Sequence, residues 1–181
     1  MQENLGQETL WVFGYGSLIW DPGFPVAERR IATLKDWHRS FCMRSIHHRG
    51  TVTAPGLVLA LDQAEGAACA GVAFRVEPGA EAAALQGLRE RELISSAYLE
   101  RVLEVDTCEG PVRALAYVID PDHEQYCGGL ALEEQARIIA DAIGGRGPNR
   151  DYLWATVAHL AELGISDPDL DWLGAEVRRL S

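Results

Sequence analysis

The residues of this chain best placed to move a proton lie in "LRERELISSAY", Leu88 to Tyr98, which carries two glutamates two positions apart. On a helix turning about 100° per residue, Leu85, Leu88 and Glu92 share one stripe at i, i+3 and i+7, while Glu90 falls on the far side beside solvent. A carboxylate on a buried stripe loses hydration, and its pKa rises toward the range where a general base works at neutral pH. The same position also suits a structural ion pair with a neighbouring arginine, and the residues alone leave both readings open.

A second candidate is "WVFGYGSLIW", Trp11 to Trp20. A dinucleotide loop would need a third glycine where Ile19 stands, and the helix that should follow is interrupted by Pro22 and Gly23. A hydrolase elbow would need glycines on both sides of Ser17, where Tyr15 and Ile19 stand instead. What the stretch does offer is small residues, Gly14, Gly16 and Ser17, at the end of an apolar run. A ligand can approach such a backbone closely, and successive N–H groups can form a nest for a carboxylate. A tight turn inside a core would use the same residues.

Arginines supply the third candidate. "RSIHHRGT", Arg44 to Thr51, and "RGPNRDY", Arg146 to Tyr152, combine guanidinium groups with turn formers, which suits carboxylate recognition and equally suits solvated loop charge. Arg44 joins the candidate substrate-binding residues. His47 and His48 are adjacent and would face opposite ways in an extended segment, so no shared metal is expected. Cys42, Cys69, Cys108 and Cys127 have no C-x-x-C or zinc-finger spacing and read as reduced thiols.

These residues need elements to hold them. Trp11 to Phe13 reads as a short buried strand feeding a turn, followed by a loop through "DPGFP". "RRIATLKDWHRSFCMRS" alternates loosely after Ile31 and gives way to turn formers at Gly50, Pro55 and Gly56. "LVLALD" and "CAGVAFRV" read as a hairpin-like pair of strands with "QAEGAA" between them. An alanine-rich helix is expected from Glu81 to about Ile94, then a strand pair, "YLERVLEVD" and "VRALAYVID", around Gly110 and Pro111. From Leu132 the pattern is mostly helical. "LEEQARIIADAIG" puts Ala136, Ile139, Ala140 and Ile143 on one face with Gly144 and Gly145 as its stop, and "RDYLWATVAHLAELG" ends at Gly164. Trp20, Trp37, Trp154 and Trp172 read as core or pocket-lining residues. Strands precede helices instead of alternating with them, so the fold class is α+β, with the strands curled into a small barrel.

Bulk properties bound the rest. The 181 residues, 48% of them hydrophobic, suffice for one core, so a polar tail over residues 1–10 and a single domain over 11–181 are expected. Sixteen basic against 27 acidic residues give a net charge of -11, which disfavours nucleic acid and anionic membranes as partners. Neither a leader-like apolar segment nor a membrane-length run is present, and a cytoplasmic monomer is the expectation.

Taken in order, "WVFGYGSLIW", "RSIHHRGTVTAPGLVLAL", "GVAFRV" with "RERELISSAYLER", and "GPNRDYL" with "HLAELGI" resemble the ChaC-type γ-glutamylcyclotransferases from about Trp11 to about Leu173. The resemblance implies a small closed β-barrel flanked by helices. It also implies cleavage of glutathione, a small-molecule substrate, into 5-oxoproline and cysteinylglycine without a cofactor. It matches Tyr15, Gly16, Ser17 and Leu18 to the substrate-binding turn, flanked by Gly14 and Ile19, and Glu92 to the general base, with Tyr98 following it. Other γ-glutamyl compounds as substrates, or a non-catalytic module that senses a small acid, are the alternatives.

Overall fold

In the computed structural model the described residues are 9–93 and 96–181. Most of the expected polar tail and Ile94 lie outside them. Five strands close into a barrel in the order β1-β3-β2-β4-β5, and helices accompany them, which is the α+β barrel expected from the sequence.

The first strand, β1 (Trp11–Gly14), is buried along its whole length, pairing antiparallel with β3 (Gly56–Val76) and parallel with β5 (Gly110–Ile119). It comes unusually near its neighbour. A Cβ placed on Gly71 would sit 2.3 Å from the carbonyl oxygen of Gly14, so the approach requires glycine at 71. Immediately after β1 a single turn of 3₁₀ helix forms over Ser17–Ile19.

The long strand β2 (Val26–Ser45) follows, alternating between half-buried and exposed residues at its start. The segments "LVLALD" and "CAGVAFRV" are one continuous strand, β3, and not the hairpin-like pair that the glycine suggested. Gly66 takes φ +81° and donates its N–H to Asp36 Oδ1 at 3.0 Å, while Asp36 itself takes φ 67°. Two neighbouring strands thus absorb the irregularity together, and the chain runs on without reversing.

Helix α1 (Glu81–Glu92) ends close to the expected place, and β4 (Tyr98–Thr107) pairs antiparallel with β5 throughout, with Thr107 opposite Gly110. The reversal therefore uses Cys108 and Glu109, with Gly110 as the first residue of the returning strand.

Tertiary contacts group the chain into two compact units, one made of residues 1–38 and 63–120, the other of 39–62 and 121–181. In the first, Leu10, Val12, Leu18, Val76, Ala84, Leu88, Leu115 and Tyr117 form a buried cluster that joins β1, the 3₁₀ turn, α1 and β5. The second unit holds α2 (Leu132–Asp141), the two-residue strands β6 (Ile143–Gly144) and β7 (Gly147–Pro148), α3 (Asn149–Glu162) and α4 (Pro168–Leu180). Helix α2 stops before the glycines, because Ala142 is already extended and its N–H closes the last turn on Ile138. Ile143 consequently leaves the helical face and is 58% exposed. Trp172 is likewise a surface residue at 39% exposure and does not join the core.

Candidate active site

Glu92 is the last residue of α1, and the phase argument holds in three dimensions. Leu88 is buried, Leu85 packs against the same cluster, and the Glu92 side chain keeps 15% of its exposure, whereas Glu90 is exposed and receives a hydrogen bond from Gln86. Burial pushes the Glu92 pKa up from the ordinary carboxylate value, and the Arg91 charge opposes that push. The carboxylate is thus both ion-paired and desolvated: Arg91 Nε lies 3.4 Å from Glu92 Oε1, yet desolvation still dominates.

Arg91 is not a dedicated counterion. Its Nη2 donates to Ser17 Oγ at 3.0 Å, its Nη1 donates to the Asp21 carbonyl at 2.6 Å, and Asp21 Oδ2 lies 3.8 Å from the same nitrogen. One planar guanidinium thus touches both the 3₁₀ turn and the buried glutamate.

The turn itself is closed by backbone hydrogen bonds. Ile19 donates to the Gly16 carbonyl, and the amides of Trp20 and Asp21 both reach the Ser17 carbonyl. Tyr15, Leu18 and Ile19 are buried, Ser17 is half-buried, and Tyr15 Oη donates to the Tyr117 carbonyl at 2.9 Å. The first amides of a helical turn have no partner within it. In this turn those groups belong to Gly16, Ser17 and Leu18.

Behind the glutamate stands a polar group that the sequence reading missed. Tyr117, buried on β5, donates its phenol to Glu100 Oε1 at 3.0 Å, and Arg89 grips Glu100 with Nε at 3.0 Å and Nη2 at 2.9 Å. The Arg89 hydrogen bond, followed by that of Tyr117, holds the Glu100 pKa below the usual carboxylate value. Burial first, and then the Glu100 and Glu92 charges, push the Tyr117 pKa up, so the phenol stays a donor. Tyr98, the first residue of β4, packs half-buried against the same cluster.

Arg44 belongs to the second unit, where its N–H donates to the Gln125 carbonyl at 2.8 Å and its own carbonyl accepts from Gln125 Nε2 at 2.9 Å. The two arginine-bearing loops meet within that unit. Gly145 and Arg146 donate to the carbonyls of His47 and His48, and Arg49 Nη1 reaches the carbonyls of Arg146 and Pro148 at 3.0 and 3.2 Å. Arg49 therefore fastens one loop to the other. Burial first, and then the neighbouring Arg146, His47 and Arg49 charges, lower the His48 pKa. Among the described residues no group of three or more His, Cys, Asp or Glu is arranged to hold a metal ion, and no helix is long and apolar enough to cross a membrane.

Comparison with known proteins is informative over nearly the whole chain. The family described as "ChaC-like protein" matches residues 10–180. The chain is 37% identical over 172 residues to a glutathione-specific γ-glutamylcyclotransferase of Escherichia coli, covering 94% of this chain and 74% of the relative. It is 39% identical over 179 residues to γ-glutamylcyclotransferase 2-1 of Arabidopsis thaliana, covering 94% and 83%. Among solved structures, a yeast γ-glutamyl cyclotransferase specific to glutathione superposes with a TM-score of 0.84 at 23% identity, covering 94% of this chain and 96% of that one. At that identity the likeness shows the fold.

Proposed function

The chain belongs to the ChaC-like family, and from that membership and the chemistry of its buried glutamate we propose that it is a glutathione-specific γ-glutamylcyclotransferase. It is a lyase that converts glutathione to 5-oxoproline and cysteinylglycine. The observation that carries the assignment to particular residues is the joint hold of Arg91 on Ser17, Asp21 and Glu92.

In this reading the turn binds the α-carboxylate of the γ-glutamyl group. Ile19, Trp20 and Asp21 spend their amides inside the turn, which leaves Gly16, Ser17 and Leu18 to donate to the ligand. Gly14 and Tyr15 set the approach of that segment, and Ser17 serves through its size and its amide, since its hydroxyl is engaged by Arg91.

The substrate's α-ammonium must lose a proton before it can attack, and Glu92 takes it. The free amine then attacks the γ-carbonyl carbon of the same molecule, forming the ring C–N bond. The bond to the cysteinyl nitrogen breaks as protonated Glu92 gives its proton to the departing amine, and the ring nitrogen sheds its second proton through the regenerated carboxylate to that amine, which leaves as its ammonium beside the neutral lactam. Nucleophile and electrophile share one molecule, so the protein's largest contribution is to hold the glutamyl group folded.

Incubation of the purified protein with glutathione tests the reading: equal amounts of 5-oxoproline and cysteinylglycine appear, and Glu92→Gln slows release of both about a thousandfold while leaving the circular dichroism spectrum unchanged. Undiminished release by that variant refutes the role of Glu92. A cytoplasmic location and a monomeric state belong to the same proposal. Support for the location comes from the four cysteines, which remain thiols, and fractionation and sedimentation measurements test the two statements.

A further inference from the structure

We infer that Arg91 is a positioning residue for the cyclisation: its guanidinium holds the Ser17–Asp21 turn and the Glu92 carboxylate in one fixed arrangement, so that binding site and base move as a unit. The inference rests on the proposed role of Glu92 and goes beyond it, because it gives the two halves of the site a common mechanical support.

The geometry uses the whole fork. Nη2 is on the Ser17 hydroxyl at 3.0 Å, Nη1 on the Asp21 carbonyl at 2.6 Å, and Nε faces Glu92 Oε1 at 3.4 Å. Five N–H groups on a rigid plane can serve such divergent partners at once, whereas a lysine ammonium is a point charge on a flexible stem. The partners lie on different elements. Ser17 and Asp21 belong to the turn after β1, and Glu92 closes α1. Hydrophobic packing of Leu18 with Leu88 already brings these elements together, but such contacts are non-directional. Directional bonds from Arg91 fix the remaining freedom.

Arg91 also acts on the charge of the base. Among the described residues, the groups facing Glu92 are Arg91 from its own helix and Tyr117 from β5; Tyr117 is in turn held by Glu100 of β4 and Arg89, and Asp21 faces Arg91 from the turn. Of these, Arg91 opposes the desolvation of Glu92. Its removal leaves burial unopposed, so Glu92 holds its proton to higher pH.

The test compares wild type, Arg91→Gln and Arg91→Lys. Titration of the Glu92 carboxylate is followed by infrared difference spectroscopy with Glu92→Gln as the blank, exchange of the Trp20 and Asp21 amides by hydrogen exchange, and turnover with glutathione. In Arg91→Gln the Glu92 titration and the acid limb of kcat/KM move to higher pH, the two amides exchange faster, and KM rises about tenfold, the scale of one lost hydrogen bond to a charged group. In Arg91→Lys the titration stays near that of wild type while amide exchange and KM still rise, which separates position from charge. Unchanged titration and exchange in Arg91→Gln overturn the inference. Shifted titration and exchange in a protein whose wild type releases no 5-oxoproline would instead support the positioning role and refute the proposed reaction.

Discussion

The phenol of Tyr15 donates to the carbonyl oxygen of Tyr117 at 2.9 Å, a bond that spans 102 residues and ties the turn after β1 to the strand whose own tyrosine side chain grips Glu100. Tyr15→Phe keeps the ring and deletes that bond. Stability in urea falls by about 1 kcal/mol, the usual net worth of a buried hydrogen bond. Because the turn proposed to bind substrate loses one of its anchors while Glu92 is untouched, KM for glutathione rises more than kcat falls. Steady-state kinetics with chemical denaturation checks both, and a fall in kcat at unchanged KM would contradict this division.

Glu92→Gln separates catalysis from stability. Release of 5-oxoproline drops about a thousandfold, in the range contributed by a positioned general base. On the proposed role of Glu92, wild-type kcat/KM falls on the acid side as that carboxylate is protonated, and because burial raises its pKa the limb lies above the ordinary carboxylate value. Folding follows the same group with the opposite benefit. A carboxyl whose folded pKa is raised binds its proton more tightly in the native state, so stability declines from the unfolded carboxylate value up to the folded one and stays lower above it. The glutamine variant is therefore more stable than wild type at neutral pH, by about 1 kcal/mol, as is common when a functional group that opposes folding is removed. The gain vanishes below the unfolded carboxylate value. Urea titrations at neutral and acid pH measure the difference.

Glu100 behaves in the reverse sense. Arg89 and Tyr117 lower its folded pKa, so it contributes stability that is present above the unfolded carboxylate value and is lost as pH falls through the folded one. Replacing it with glutamine costs about 1 kcal/mol at neutral pH, a modest figure because the Arg89 side is half exposed. Acid unfolding monitored by fluorescence begins at higher pH in wild type, relative to its own neutral stability, than in Glu100→Gln. Identical pH dependence of the two proteins would show that the Arg89–Glu100–Tyr117 group contributes no linkage.

Local pattern made much of this legible. Helical phase separated Glu92 from Glu90, and glycine spacing, with Pro22 and Gly23 beyond it, located the turn and counted against the nucleotide and hydrolase readings of it. What escaped was set by partners distant in sequence. Gly66 was read as a reversal because nothing local reveals that Asp36, 30 residues earlier, receives its amide. Arg91 stood beside Glu92 in plain view, but its hold on Ser17 spans 74 residues. The Glu100–Tyr117 pair was within reach. Placing the hairpin turn at Cys108–Glu109, with Gly110 opposite Thr107, puts Glu100 directly across from Tyr117; reading the turn at Gly110 and Pro111 lost that register. The closed order of the barrel depends on β1 lying between β3 and β5, a pairing that period-two alternation does not encode.

Asn149 makes the firmest prediction in the second unit. It is fully buried at 0% exposure, and its side chain meets a backbone on both sides: Oδ1 accepts from Leu57 N–H and Nδ2 donates to the Leu57 carbonyl, each at 2.8 Å. The amide thus completes the edge of β3 as a neighbouring strand would, at the first residue of α3. Asn149→Ala leaves two buried backbone groups without partners and opens a void, and stability falls by about 3 kcal/mol. Asn149→Asp is the sharper variant. It keeps the shape and the acceptor but turns the donor into a second acceptor aimed at a carbonyl, so it is destabilised by at least as much at neutral pH. Protonation of the aspartate restores a donor, and part of the loss is recovered on acidification. Urea midpoints for both variants at neutral and mildly acid pH decide it: a loss below about 1 kcal/mol in Asn149→Ala would mean that water or a shifted α3 satisfies Leu57 instead.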